Sequence, residues 1–233
     1  MTPQPVEAAD ALSRWMNTVA SDVAAFTGDV TELLARNLGG RDKVDQDSLL
    51  GLEQLSREFL AGHPFAVGAG AIFSSAVIEK QQGVLEWWSR TKPGVVEKLE
   101  FDLAPGGERF YDYEKLPFFT TAAATGHQTI WGPYLDYLGA DDYILTHTNP
   151  FFVGGRFMGV AGCDIKVQEL ETAFMPILRS IPGDAAVVNA SGRVIVGNSG
   201  KYLVGERVKL DSAGELRLGL NVPHLGLSLL CQK

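Results

Sequence analysis

Between Phe110 and Ile165 the chain carries aromatics, carboxylates, threonines and glycines at a density found nowhere else in it, and the order of their periods constrains the fold. Residues 113–125 read as a short helix. Pro117 is tolerated in its first turn and Gly126 ends it. Tyr143 to Thr148 and Phe157 to Ile165 read as strands joined by a tight turn at Gly154-Gly155. Helix, loop and paired strands form one unit, and that unit would supply most of a small-molecule pocket. Thr146 and Thr148 alternate with His147 along one strand, so the threonines face one way and the histidine the other. The threonines are expected on the pocket side.

The rest of the chain supplies helices before the unit and strands on both sides of it. Residues 6–37 read as one long helix. Leu12, Met16, Val19, Val23, Phe26, Val30 and Leu33 step by four and three, which is a heptad seam. Such a seam serves either the chain's own core or a homodimer through this helix. A second helix is expected over 47–61, capped by Asp47 and Ser48. Residues 65–78 and 83–90 read as a strand hairpin, and Val95 to Leu103 as a partial third strand. After the central unit, Val167 to Leu178 is helical. Residues 184–197 form a hairpin turned at Asn189 to Gly192, and two last strands follow at Glu215 to Leu220 and Leu225 to Cys231. Helices, then strands, each group broken by one helix, make an α+β chain with an antiparallel sheet.

At 233 residues the chain can bury a sizeable core. Its net charge of −8, with Lys and Arg dispersed, argues against binding to nucleic acid or to an anionic membrane. The N-terminus lacks the basic start and apolar run of a signal peptide, and no apolar run approaches the ~20 residues that span a bilayer. The expectation is a soluble, cytoplasmic protein. Cys163 and Cys231 fit a reducing compartment, where a disulfide is unnecessary.

Chemistry has little support. There is no GxSxG elbow and no phosphate-binding loop. The four histidines, His63, His127, His147 and His224, have no metal-ligand spacing. Gly68-Ala69-Gly70 falls inside a strand pattern, against a dinucleotide site. No metal, no cofactor and no enzymatic activity are expected. Two other readings stay open. One is an enzyme pairing His127 or His147 with Asp136; the other is a dimerisation module whose pocket is only core.

The 110–165 pattern, with the long helix before it and GVAGCDIKVQEL at its close, resembles the Cache family of extracytoplasmic sensor domains. That resemblance implies a PAS-like antiparallel sheet holding a ligand on one face within residues 1–178. Residues 179–233 would be a small β-rich extension, similar to a second Cache unit cut short. The amino-acid-sensing branch has Tyr, Arg five residues on, two aromatics at seven and eight, and Ala at eleven. Here Tyr111 is followed by Leu116, Phe118, Phe119 and Ala122, so the arginine that clamps a ligand carboxylate is missing. Tyr134, Asp136 and Asp164 match the positions that hold a ligand's ammonium group. Trp131 joins the aromatic wall. Of the paired tryptophans Trp88 is preferred, because its face carries Glu86 and Arg90. The resemblance implies a sensor for an amine-bearing or hydroxylated metabolite, signalling to a separate output protein. A carboxylate clamp would then need Arg156, Arg90 or His147 to reach in.

Overall fold

A computed structural model describes residues 3–79, 83–107, 109–136, 142–210 and 213–232. The first helix, α1, runs Pro3–Leu38. Leu12, Met16, Val19, Val23, Phe26 and Val30 are all buried in the chain's own core. At the next step Leu34 is buried and Leu33 only packs against the edge. The interval therefore lengthens to four at Leu34 and again at Leu38, as a straight helix of 3.6 residues per turn requires. The seam is taken up within the chain, so the same face cannot also zip two copies together.

The expected second helix is shorter. Residues Asp47–Leu49 make a single 3-10 turn, and α2 spans Leu52–Gly62. Asp45, not Asp47, accepts hydrogen bonds from the Ser48 amide at 2.9 Å and the Ser48 hydroxyl at 2.5 Å. Gly51, at φ 95°, turns the chain before α2 begins.

A six-stranded antiparallel sheet follows. Its strands are β1 (Ala66–Phe73), β2 (Val84–Lys92), β3 (Val95–Lys98), β4 (Thr129–Asp136), β5 (Asp142–Val153) and β6 (Arg156–Lys166), in the order β3-β2-β1-β6-β5-β4. Two departures from the sequence reading bear on the site. β3 stops at Lys98, and residues 99–107 and 109–112 cross the sheet as irregular chain. β4 is an unexpected strand. Gly132-Pro133 in its middle reads as a loop, yet the register shift between Trp131 and Tyr134 accommodates the proline. A proline lacks the N–H that a central strand needs, and β4 lies at the sheet edge, where that lack is tolerated. Helix α3 (Pro117–Thr125) packs on one face of this sheet, and α1 and α2 on the other.

Helix α4 (Val167–Leu178) leads to a second antiparallel sheet of β7 (Ala185–Val188), β8 (Val194–Gly197), β9 (Glu215–Gly219) and β10 (Ser228–Gln232), ordered β8-β7-β10-β9. One apolar core runs from α1 through both sheets, joining Leu12 and Met16 to Phe174, Val187 and Leu229. Ser13 accepts from the Asn221 amide at 3.0 Å, and Asn17 donates to the Asn221 carbonyl at 2.7 Å. These bonds fix the second sheet to α1. Cys163 and Cys231 are buried and free.

Candidate functional site

The face of the first sheet covered by α3 holds a cleft whose floor comes from three central strands. Strand register sets Gly68 of β1 opposite Asp164 of β6, and Asp164 opposite Thr146 of β5. Opposite residues in an antiparallel pair share a face, so Asp164 and Thr146 stand side by side. From β2, the Trp87 indole N–H donates to Asp164 Oδ2 at 3.0 Å. The absent side chain of Gly68 makes room for this bond: a Cβ there would lie 2.8 Å from Trp87 Nε1 and 3.2 Å from Asp164 Oδ2.

With Asp164 ionised, the hydrogen bonds run in one direction. Thr146 donates its only hydroxyl proton to Asp164 Oδ1 at 2.6 Å. Its oxygen then accepts from the Tyr134 hydroxyl at 2.7 Å. Burial, opposed by the bonds from Thr146 and Trp87 and aided by the charge of Asp136, pushes the Asp164 carboxyl up to about 7. Burial and the Asp164 charge also hold the Tyr134 and Tyr111 hydroxyls well above their usual range, so both stay neutral donors. Among the described residues, no Lys, Arg or His lines the cleft. The site is a part-buried carboxylate with converging donors and, among the described residues, no built-in cation.

The rest of the lining is apolar: Ile72, Leu85, Leu99, Phe101 and Phe118, with Tyr111 stacked on Phe101 at 4.9 Å between ring centres. The enclosed volume is about 30 Å³, room for a water or two. A metabolite must therefore displace part of the wall. The part most able to move is 99–107 with 109–111. Those residues have no regular structure and few backbone bonds to described surroundings, such as Leu99 N–H to the Trp87 carbonyl at 2.8 Å. Beyond it the chain is anchored. Tyr113 donates to the Phe73 carbonyl at 2.6 Å, and Glu114 accepts from Ser74 at 3.0 Å and Ser75 at 2.7 Å.

Of the residues singled out from sequence, Tyr111, Phe118, Tyr134, Asp136, Thr146 and Asp164 come together around this cleft. Thr148 shares the face but donates to the Phe118 carbonyl at 2.7 Å, tying α3 to β5. Trp131 stacks on Tyr134 at 4.0 Å, behind the lining. Phe119 is buried against Tyr113 and Phe157, beside the cleft and not in it. Trp88 is the wrong tryptophan of its pair. It pairs with Ala69 on the α1 face and joins the core there, while Trp87 takes the site face. Glu86 and Arg90 lie away from this cleft: Glu86 pairs with Lys98 at 2.7 Å, and Arg90 donates to the Ala66 and Leu60 carbonyls.

None of the candidate carboxylate clamps reaches the cleft. Arg156 donates to the Asp42 carbonyl at 2.9 Å and the Ala76 carbonyl at 3.0 Å. Arg90 is held as above. His147 lies on the opposite face, wholly buried and pushed down to about 4 by that burial. The acid–base pairing with Asp136 fails for the same reason, since neither His147 nor the exposed His127 lines the cleft. Sequence reasoning missed Trp87, Leu99, Phe101, Ile72 and Leu85. For Trp87 the signal was the strand alternation itself, given the register to Asp164.

The architecture recurs in solved sensor domains. The ligand-binding domain of the Pseudomonas aeruginosa PAO1 amino acid chemoreceptor PctC, in complex with GABA, superposes with a TM-score of 0.59 at 17% identity, over 97% of this chain and 96% of that one. A Campylobacter jejuni chemoreceptor domain in complex with 4-methylisoleucine gives 0.63 at 13% identity, over 100% of this chain and 88% of that one. The extracellular domain of the histidine kinase-type protein mmHK1S-Z3 gives 0.63 at 14%, over 97% and 90%. No curated protein matches the sequence. The family model described as methyl-accepting chemotaxis protein-like, first PDC sensor domain, matches residues 52–172, which hold the whole first sheet and the cleft on its face. The α+β architecture of long helix and antiparallel sheet is that of the Cache-type sensors, and the chain belongs to the methyl-accepting chemotaxis protein-like PDC sensor domain family.

Proposed function

We propose that this sensor domain binds a small primary amine lacking a carboxylate, with its ammonium group on Asp164. One observation carries the reading: a part-buried carboxylate receives two hydrogen bonds, from Trp87 and Thr146, and no cation lines its cleft among the described residues. An ammonium ion supplies the missing charge, and the Tyr111, Phe101 and Trp87 rings suit its attached carbons. A carboxylate on the ligand would enter a cleft that already holds Asp136 and Asp164 and offers it no arginine. The amino acids and GABA in the complexes of the related domains all carry a carboxylate, so this chain would differ from them in ligand class.

A matched pair tests the reading. Isobutylamine and valine differ by one carboxylate. Isothermal titration should show the amine binding at least tenfold more tightly. Asp164→Asn should weaken the amine by about a hundredfold or more, the usual cost of removing one partner of a buried charge pair. Tighter binding of valine would refute the proposal.

The cytoplasmic placement expected from sequence finds no support in the comparisons. Two of the similar domains are extracellular portions of histidine kinase-type proteins, and this chain is proposed to sense on the same side. Among the described residues no helix is long and apolar enough to cross a membrane. The output is proposed to pass along α1, whose buried face meets β5 and β6 directly behind the Thr146–Asp164 pair.

A further inference from the structure

A second hollow, of about 320 Å³, lies where the β7–β8 hairpin of the second sheet meets the β4 edge of the first. Arg193 and Arg207 both line it and face each other across an isolated antiparallel bridge. Directly opposed residues place their side chains on one face, and like charges there repel. Among the described residues no Asp or Glu lines the hollow and neither arginine has an ion pair to offset that repulsion, in a chain whose net charge is −8. Arg193 is half-buried, and one arm donates to the Gly205 carbonyl at 2.6 Å. Arg207 is exposed, with no hydrogen bond to any described residue. Aromatic surface completes the wall: Trp131 on one side, and on the other Tyr143, whose ring lies against Gly205. The Asn189 side chain fixes the hairpin to β4 by donating to the Gly132 carbonyl at 2.9 Å.

We infer that this hollow is a second ligand site, for a small oxyanion such as the carboxylate or phosphate group of a metabolite, gripped by the two guanidinium groups. Guanidinium forks match oxyanions bidentately, and an anion there removes the Arg193–Arg207 repulsion. The flanking rings give an organic body a surface to rest on. The charge selectivity is opposite to that of the Asp164 cleft. The two cavities share Tyr134 as a lining residue, so occupation of one bears on the shape of the other.

Isothermal titration of the whole domain with succinate and, separately, with inorganic phosphate tests the assignment. At least one should bind saturably. Arg207→Gln should weaken that binding about tenfold or more, as loss of a charge-assisted bond pair does. Arg207→Lys should recover only part of it, because a point charge lacks the fork. Arg207 is exposed and unbonded, so its variants should melt with the wild type. Preference for succinate identifies a carboxylate ligand, and preference for phosphate a phosphate ester. Asp164→Asn should leave the anion isotherm unchanged, which separates this site from the amine cleft. Binding of neither anion, or binding that Arg207→Gln leaves within about twofold, overturns the inference.

Discussion

Asp164 couples the stability of the domain to pH. An exposed aspartate titrates near 4, whereas burial lifts this one to about 7. The folded state therefore holds a proton that the unfolded chain has released between those values. Stability from this group is complete below about pH 4 and is lost as pH rises to about 7, at a cost on the order of 4 kcal/mol. Buried His147, held down to about 4, works the other way, adding stability as pH rises from about 4 to 6.5. The Asp164 contribution is therefore read as a difference: the denaturant midpoint of Asp164→Asn relative to the wild type should rise between pH 4 and 7, and a difference that stays constant with pH would assign the linkage to other groups. Amine binding runs the opposite way, because the ammonium ion needs the carboxylate ionised, so affinity should rise as pH approaches 7. Gly68 gives a second handle on the same contact. Gly68→Ala would push a methyl group onto the Trp87–Asp164 bond, and a shift in indole fluorescence should report the loss. Both residues show how partial the sequence signal was. Asp164 stood out by its place on the last core strand. Gly68 looked like an idle glycine until register set it against Trp87 and Asp164.

At the scale of elements, the irregular chain of 99–107 and 109–111 is the part that must move for a metabolite to enter. The cleft encloses about 30 Å³, and only a wall without ladder bonds can yield room for a metabolite at low cost. Hydrogen exchange should be fast over 99–107 and 109–111 in the free domain and slow by at least tenfold when amine is bound, with β1 and β6 protected throughout. Equal protection in both states would mean that another element opens. The strands themselves were largely legible. β6, α4 and the 184–197 hairpin lie where alternation, the Gly154-Gly155 turn and Asn189 to Gly192 place them. β4 was not, because a Gly-Pro pair is a loop signal unless the strand is known to lie at an edge. Nor was the choice between Trp87 and Trp88, since alternation puts adjacent side chains on opposite faces without saying which face holds the site.

Across the whole molecule, α1 is the beam on which both sheets are mounted. Val23 is wholly buried in the shared core. Val23→Asp should thus unfold or severely destabilise the single chain, by more than about 3 kcal/mol, because it buries an unpaired charge. Denaturation and sedimentation measured together decide the matter: a variant of wild-type stability that has only lost a dimer would restore the intermolecular seam. The sequence alone pointed to the α+β class, the long helix and most strand pairs, which follow from periods and turn residues that act locally. The aromatic and acidic site candidates came instead from the resemblance to Cache-type sensors. Tertiary structure decided which side of each element faces what. It turned the heptad seam inward, put Trp87 rather than Trp88 on Asp164, and kept Arg90, Arg156 and His147 away from the cleft. It also set Arg193 and Arg207 at a second hollow. Those choices depend on register and on packing between residues far apart in the chain, and no local pattern encodes them.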